Sequence, residues 1–173
     1  MTTLKELTIH NHKTAEHHSF TKLLIGGNIS PQIYATYLAN QLLQYQTLEH
    51  CANSVLVHLP GLSRSISILS DLVELDQSVK IFDVTKNYCN HVVHLDNSGL
   101  LAHIYTKHMG DLYGGQLIKT KVPGAGSMYS FQNRQELIHD LRSKLDVSMA
   151  DEANSCFEFT LQLFDRIADE YNI

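Results

Sequence analysis

Apolar residues recur every three to four positions along most of the chain, and no segment alternates apolar and polar in the two-residue register of a strand. The pattern predicts an all-α chain. A first helix runs from about Thr3 to Ile25 and stops at Gly26-Gly27. Ser30-Pro31 then offers an N-cap with proline at the first helical position. Behind it, Tyr34, Leu38, Leu42, Tyr45, Leu48, Ala52 and Val55 keep one apolar stripe. Leu59-Pro60-Gly61-Leu62 breaks that helix, and one or two shorter helices occupy Ser63 to His94. Asp96-Asn97-Ser98 is a loop and cap before a helix from about Gly99 to Lys121. Pro123-Gly124-Ala125-Gly126 closes it and opens the longest loop. Asn133 caps a helix to about Asp146, and the last helix places Phe157, Leu161, Phe164, Ala168 and Tyr171 on one face. With no internal repeat or low-complexity segment, residues 1–173 read as a single domain.

One of these helices is built unusually. It carries Gly110, Gly114 and Gly115, and each interior glycine costs a helix roughly 1 kcal/mol relative to alanine. That expense suits a place where something must approach the backbone closely. Gly110 with Gly114, and Asp111 with Gly115, are spaced i,i+4, so the four residues would share a face bare except for one carboxylate. A flat ligand could lie against it with Asp111 beside it. A glycine-mediated helix contact or a kink is equally open on spacing alone.

Composition narrows the class. A net charge of −5 argues against general nucleic-acid binding. Cys51, Cys89 and Cys156 have no paired spacing, which favours a reducing, cytoplasmic setting over a disulfide framework. They also lack the acid partner that a nucleophilic-cysteine hydrolase would need. No apolar run follows the N-terminus and none approaches 18 residues, so neither a signal peptide nor a membrane span is expected. Of eleven histidines, His10, His12, His17 and His18 crowd the first helix. A zinc site from His10, His17 and His18 would lack a fixed fourth ligand. His12 has Glu16 one turn on, able to hydrogen-bond the imidazole or a water and so set the tautomer of a metal ligand. Glu136-Leu137-Ile138-His139 is one Glu-x-x-His element, and a di-iron oxidase would need a second. No flavin or nicotinamide fingerprint occurs.

The run from His103 to Gln116, HIYTKHMGDLYGGQ, resembles the distal helix of heme oxygenases, with its Gly-Asp-Leu-x-Gly-Gly-Gln core. His12-Lys13-Thr14-Ala15-Glu16 is similar to the proximal-helix pattern of that family, a heme-ligating histidine followed by Ala-Glu. Leu141-Arg142-Ser143-Lys144 and Phe157 to Phe164 resemble its last two helices, and Ile29 to Glu49 is more weakly similar. All four segments stand in the family's order.

The resemblance implies a helical bundle holding heme b, as both substrate and cofactor, between the N-terminal proximal helix and the glycine-rich distal helix. Heme would be opened to biliverdin, mainly the IXα isomer, with release of carbon monoxide and ferrous iron. Oxygen is consumed, and electrons come from a separate reductase or, without a membrane tail, a soluble ferredoxin. A bilin reductase is a possible downstream partner. His12 would be the axial ligand, supported by Glu16. Lys5 and Arg142 would hold the propionates, and Tyr105, Gly115 and Phe157 would line the heme. Asp111 would hold a water for proton delivery, Gly110 and Gly114 would leave room for bound oxygen, and Lys107 and Tyr45 would join the distal hydrogen-bond network.

The chain departs from the pattern at several places. Lys107 stands where the family commonly has arginine and lacks the planar fork. Ile138 replaces an anchoring lysine, Thr160 replaces a network asparagine, and Tyr113 replaces a small residue at an offset pointing away from the heme. The plainer readings are a solvent-facing Asp111 paired with Lys107 at i−4, core roles for the tyrosines, and an ordinary solvated Lys144. A non-catalytic heme carrier of the same fold is the main alternative function. It would keep His12 without needing the Gly-Asp pattern. Lys13, Lys22, Lys119, Lys121, Arg142 and Lys144 are candidates for docking an acidic electron donor.

Overall fold

Ser30 Oγ accepts a hydrogen bond from the Ile33 amide at 3.2 Å, and Pro31 fills the first turn, so α3 (Pro31–Cys51) starts where the cap signal places it. In the computed structural model, which describes residues 2–173, α3 is the axis of the molecule. The expected stripe is only part of its buried surface. Every residue from Tyr34 to Gln41 is buried, as are Gln44, Tyr45 and Leu48. A helix enclosed on most sides must satisfy its polar side chains internally. Asn40 does so completely. Its Nδ2 donates to the Thr36 and Lys80 carbonyls at 2.8 and 2.7 Å, and its Oδ1 accepts from the Phe82 amide and the Thr85 hydroxyl at 3.0 and 2.8 Å.

Nine further α-helices surround it among the described residues: α1 (Leu4–His17), α2 (Ser19–Gly26), α4 (Asn53–Leu56), α5 (Ser65–Leu75), α6 (Asp83–Val92), α7 (Asn97–Tyr113), α8 (Gly115–Ile118), α9 (Arg134–Ser143) and α10 (Ala150–Tyr171). Single 3₁₀ turns lie at Ser127–Tyr129 and Val147–Met149. The expected first helix divides in two. His18 leaves the helical region (φ −62°, ψ 145°), and its ring nitrogen accepts from the Phe20 amide at 3.0 Å as a cap for α2. The turn drives Phe20 fully into the core. Gly27, at φ +78°, ends α2 in the left-handed region that glycine adopts freely. The glycine-bearing helix also divides, at Gly114, and α9 ends at Ser143, short of the Asp146 expected. Asp96 caps α7 as expected, accepting from the Gly99 amide at 2.8 Å.

Helices α5 and α6 pack on α3, while α1 and α7 pack chiefly on α10 rather than on each other. Two apolar clusters result. One gathers Leu100, Ile104, Leu112, Leu141 and Cys156, and the other gathers Phe20, Tyr34, Leu38, Tyr45, Ile68 and Phe164. The polar stretch of α7 from Lys107 to Asp111 runs between them, with its ends anchored in the first cluster and Tyr45 of the second opposite. Among the described residues no helix is long and apolar enough to cross a membrane.

Candidate functional site

Asp111 is 7% exposed, so it is not the solvent-facing charge of the plainer reading. Its Oδ2 accepts a short hydrogen bond from the Tyr45 hydroxyl, joining α7 to α3. Burial pushes the carboxyl up to about 7, against the stabilisation of its ionised form by the Tyr45 bond and by the charges of Lys107 and Arg64. Near neutral pH this group therefore exists in both protonation states.

Lys107 does not pair with Asp111. Its ammonium donates to Gln44 Oε1 at 2.7 Å and Gln41 Oε1 at 3.0 Å, and lies 5.0 Å from the ring centroids of both Tyr45 and Tyr88. Buried without a carboxylate, it is held below its ordinary pKa by desolvation. With both amide oxygens accepting from it, the Lys107 cation is satisfied inside the protein. Sequence reasoning missed Gln41 and Gln44, which stand one turn before and directly before Tyr45 on a helix with many other polar residues.

Several other residues of this buried polar region were given no role by the sequence pattern. His108 is fully buried; its Nδ1 donates to the Ile104 carbonyl at 3.0 Å, its ring meets Tyr45 edge-on at 5.1 Å, and its Nε2 has no partner. Burial pushes it down to about 3, which keeps it neutral. The hydroxyls of Tyr34 and Tyr129 are likewise buried, with no hydrogen-bond partner among the described residues, and both respond to the Asp111 charge. Arg64 reaches in from the break before α5. It donates to the carbonyls of Gly61, Leu62, Ser63 and Ser130 and stacks on Phe131 at 3.9 Å. Glu49 caps the start of α5 through the Arg64 and Ser65 amides, and buried Asp71 receives the Ser127 and Met128 amides at 2.7 and 2.8 Å, fixing the turn that carries Tyr129.

The four-residue bare face expected on α7 splits into two directions. Gly110 and Gly114 face outward: a Cβ on Gly110 would meet nothing within 4 Å, and one on Gly114 only the Gly110 carbonyl at 3.4 Å. Asp111 and Gly115 face inward. A Cβ on Gly115 would come within 2.5 Å of the Tyr129 ring, so this glycine makes room for a core tyrosine rather than for a ligand on the open face. Gly115→Ala should therefore destabilise the fold by roughly 1–3 kcal/mol, the usual range for overpacking. Urea unfolding checks this, and an unchanged midpoint would show that Tyr129 moves aside freely.

His12 stands exposed on α1. Its Nδ1 is 3.6 Å from Glu16 Oε2, longer than a hydrogen bond, and its ring lies edge-on to Phe157 of α10 at 5.9 Å. Its Nε2 makes no hydrogen bond with any described residue, whereas His17 Nδ1 is tied to the Lys13 carbonyl at 2.8 Å and His18 Nε2 to Asp165 at 3.0 Å. The zinc reading of His10, His17 and His18 finds no cluster there. Tyr105 is half-buried against the core of α7 and α10. Lys5 and Arg142 are exposed on α1 and α9 and form no ion pair with a described carboxylate; Arg142 leans on the Tyr113 ring at 5.5 Å. Thr160 spends its hydroxyl on the Cys156 carbonyl at 3.0 Å and does not join the network around Asp111. Glu136 and His139 are both exposed and meet no second such pair. Cys156 is fully buried with its thiol pushed up to about 12, which suits packing and not nucleophilic attack.

An all-helical bundle with a carboxylate of raised pKa behind an open glycine face on one helix and an unengaged histidine on another points to one family. The heme oxygenase family profile matches residues 1–166, and the chain belongs to that family. It is 27% identical over 203 residues to a heme oxygenase of Rhodella violacea, covering 97% of this chain and 86% of that protein. It is 28% identical over 201 residues to heme oxygenase 2 of Rattus norvegicus, covering 95% of this chain but only 64% of the longer rat protein. Among solved structures, heme oxygenase-1 of Synechocystis in complex with heme has the same fold, with a TM-score of 0.82 at 23% identity over 96% of this chain and 91% of that one.

Proposed function

We propose that this chain binds heme between α1 and α7 and opens it oxidatively to biliverdin, carbon monoxide and ferrous iron. The observation that carries the reading is the pairing of an open glycine face, at Gly110 and Gly114, with the buried Asp111 carboxyl directly behind it. The residues fit such a group. The glycine face is bare backbone, His12 has an uncommitted Nε2, and His108 Nε2, Tyr34 Oη and Tyr129 Oη are buried polar atoms that ordered water would satisfy. When bound, heme supplies the iron that activates oxygen and the porphyrin carbon that oxygen attacks.

The protein's part is binding, orientation and proton control. His12 would ligate the iron through Nε2, with Glu16 holding Nδ1 through water. Phe157 walls the same side. On the distal side a carboxyl near pKa 7 can hold a proton and release it at working pH. Tyr45 fixes its Oδ2, and Lys107, anchored by Gln41 and Gln44, supplies positive charge without competing for the proton. Lys5 and Arg142 are free cations for the two propionates. A carrier would have no use for a buried carboxyl so placed. A single turnover of heme-loaded protein with a chemical reductant, with the released gas measured, tests the reading: carbon monoxide is expected, and its absence would leave a carrier.

Leucine at Gly110 should abolish stoichiometric heme uptake, because the added side chain would fill the space meant for the ring, at a point where a Cβ meets nothing of the protein within 4 Å. Heme titration by absorbance, with a normal circular dichroism spectrum as control, checks it; unimpaired uptake would move the heme off α7. Arg142→Ala should broaden the biliverdin isomer mixture away from IXα, because a lost propionate anchor frees the ring to rotate in its plane. Chromatography of the isomers reads this, and an unchanged mixture removes Arg142 from the role.

The electron donor is proposed to be an acidic soluble protein of the ferredoxin kind, in a cytoplasmic compartment. The net charge of −5 opposes such a partner, so attraction must be local. Lys13, Lys22, Lys121, Arg142 and Lys144 are all exposed, and Lys119, two positions before Lys121, is half-buried. Exposed charges screen within about 8 Å at physiological salt, so donor-driven turnover should fall with salt while ascorbate-driven turnover changes little.

A further inference from the structure

Away from the residues used above, three helices bring two imidazoles and a carboxylate to one point. His91 from the last turn of α6 and His103 from the middle of α7 both direct Nε2 at the same atom, Oε1 of Glu152, at 2.5 and 2.7 Å. Glu152 is in the first turn of α10, five positions from Phe157 and so on a different face of that helix. The three donor atoms all lie within 4.8 Å of one another, and among the described residues they are the only such group of three.

We propose that His91, His103 and Glu152 form a binding site for a divalent ion of the zinc class, distinct from the heme site. Two imidazole nitrogens and one carboxylate oxygen are a donor set that zinc accepts, with a fourth position left to water. Tetrahedral bonds of about 2.0–2.1 Å place ligand atoms about 3.3 Å apart, so the two contacts to Glu152 would open by less than about 1 Å while the two imidazole nitrogens, within 4.8 Å of each other, would close by up to about 1.5 Å. The supporting shell is already built. Tyr88 Oη is 3.1 Å from His103 Nδ1, and the ring of Phe159 lies 5.3 Å from that of His91. His103 is fully buried, whereas the His91 and Glu152 side chains are 34% and 26% exposed. Glu152 opens onto a surface cleft of about 450 Å³ that also bears His94, Asp96 and Ser148, giving an ion and its water a way in.

Without metal, the imidazoles donate their Nε2 protons to Glu152 and Tyr88 donates to His103 Nδ1. On metal binding each imidazole would carry its proton on Nδ1, and the Tyr88 hydroxyl would turn to accept that of His103. Both imidazole protons move between ring nitrogens and none is lost. This is the orienting contact that metal-bound histidines ordinarily make.

The competing account is a purely hydrogen-bonded network that ties α6, α7 and α10 together. Glu152→Gln separates the two, since glutamine keeps an acceptor for the histidines but loses the anionic ligand. Zinc titrated calorimetrically into the full chain should bind with one tight equivalent. That equivalent should weaken at least tenfold in Glu152→Gln and in His91→Ala, while the surface histidines contribute the same weak background throughout. X-ray absorption at the zinc edge should show two imidazole nitrogens and one carboxylate oxygen in the wild type. If His91→Ala fails to fold, Glu152→Gln decides. No tight equivalent in the wild type, or one that survives Glu152→Gln unchanged, would overturn the site.

Discussion

Alanine at position 111 should leave heme bound and nearly stop its conversion to biliverdin. Proton handling by a placed side chain is ordinarily worth about 10² to 10⁴ in rate, and here no other buried carboxylate is hydrogen-bonded to Tyr45. Single-turnover biliverdin yield is the measurement, and a yield within a fewfold of wild type would remove Asp111 from proton delivery. The same residue carries a stability signature of definite sign. Folded Asp111 keeps its proton to about 7, whereas an unfolded one releases it near 3.8. Between those values the folded state binds more protons, so stability falls as pH rises and then levels off. The rise corresponds to a ceiling of about 4 kcal/mol. Asp111→Asn should therefore be more stable than wild type above pH 7, and the difference should vanish near pH 4. Urea unfolding of both proteins across that range isolates the effect from the histidines, which they share. A site residue that lowers stability at working pH is expected where function requires a strained environment.

His12→Ala should remove the histidine-ligated heme spectrum, and added imidazole should restore part of it by entering the vacated space. The His12 ring is directed toward Phe157 of α10, with Glu16 one turn on, which sets it apart from His10, whereas His17 is tied to its own helix through Nδ1 and His18 is engaged with α2 and α10. The effect should be close to complete for ligation. His10→Ala and His17→Ala should leave the spectrum intact. If either of them abolishes it instead, the proximal side has been placed on the wrong face of α1.

The elements and their order were legible because caps and breakers carry local signals. Ser30-Pro31, Gly26-Gly27 and Asp96 act where the chain places them, whereas the helix expected to run on to the Leu59–Leu62 break already ends at Cys51, with α4 after it. The breaks at His18 and Gly114 were not legible, because each depends on tertiary packing: Phe20 turning into the core in one case, Tyr129 pressing on Gly115 in the other. The same limit applied to the site. Helical spacing put Asp111 and Gly115 on the face of Gly110 and Gly114, yet spacing gives only a direction around an ideal axis, and burial splits the four. Spacing also paired Lys107 with Asp111, where two glutamines of another helix outcompete the carboxylate. Arg64 and Asp71 carry no motif, because their partners include backbone carbonyls and amides brought near only by the fold, and His108, though inside the glycine-rich run, shows its burial against Tyr45 only in three dimensions.

The central claim, that this chain opens heme rather than merely carrying it, is tested most directly by the optical spectrum of the heme-loaded protein before and after a reductant is added in air. The account predicts decay of the heme bands and growth of the broad red absorption of biliverdin. Heme bands that persist through reduction and reoxidation would contradict it.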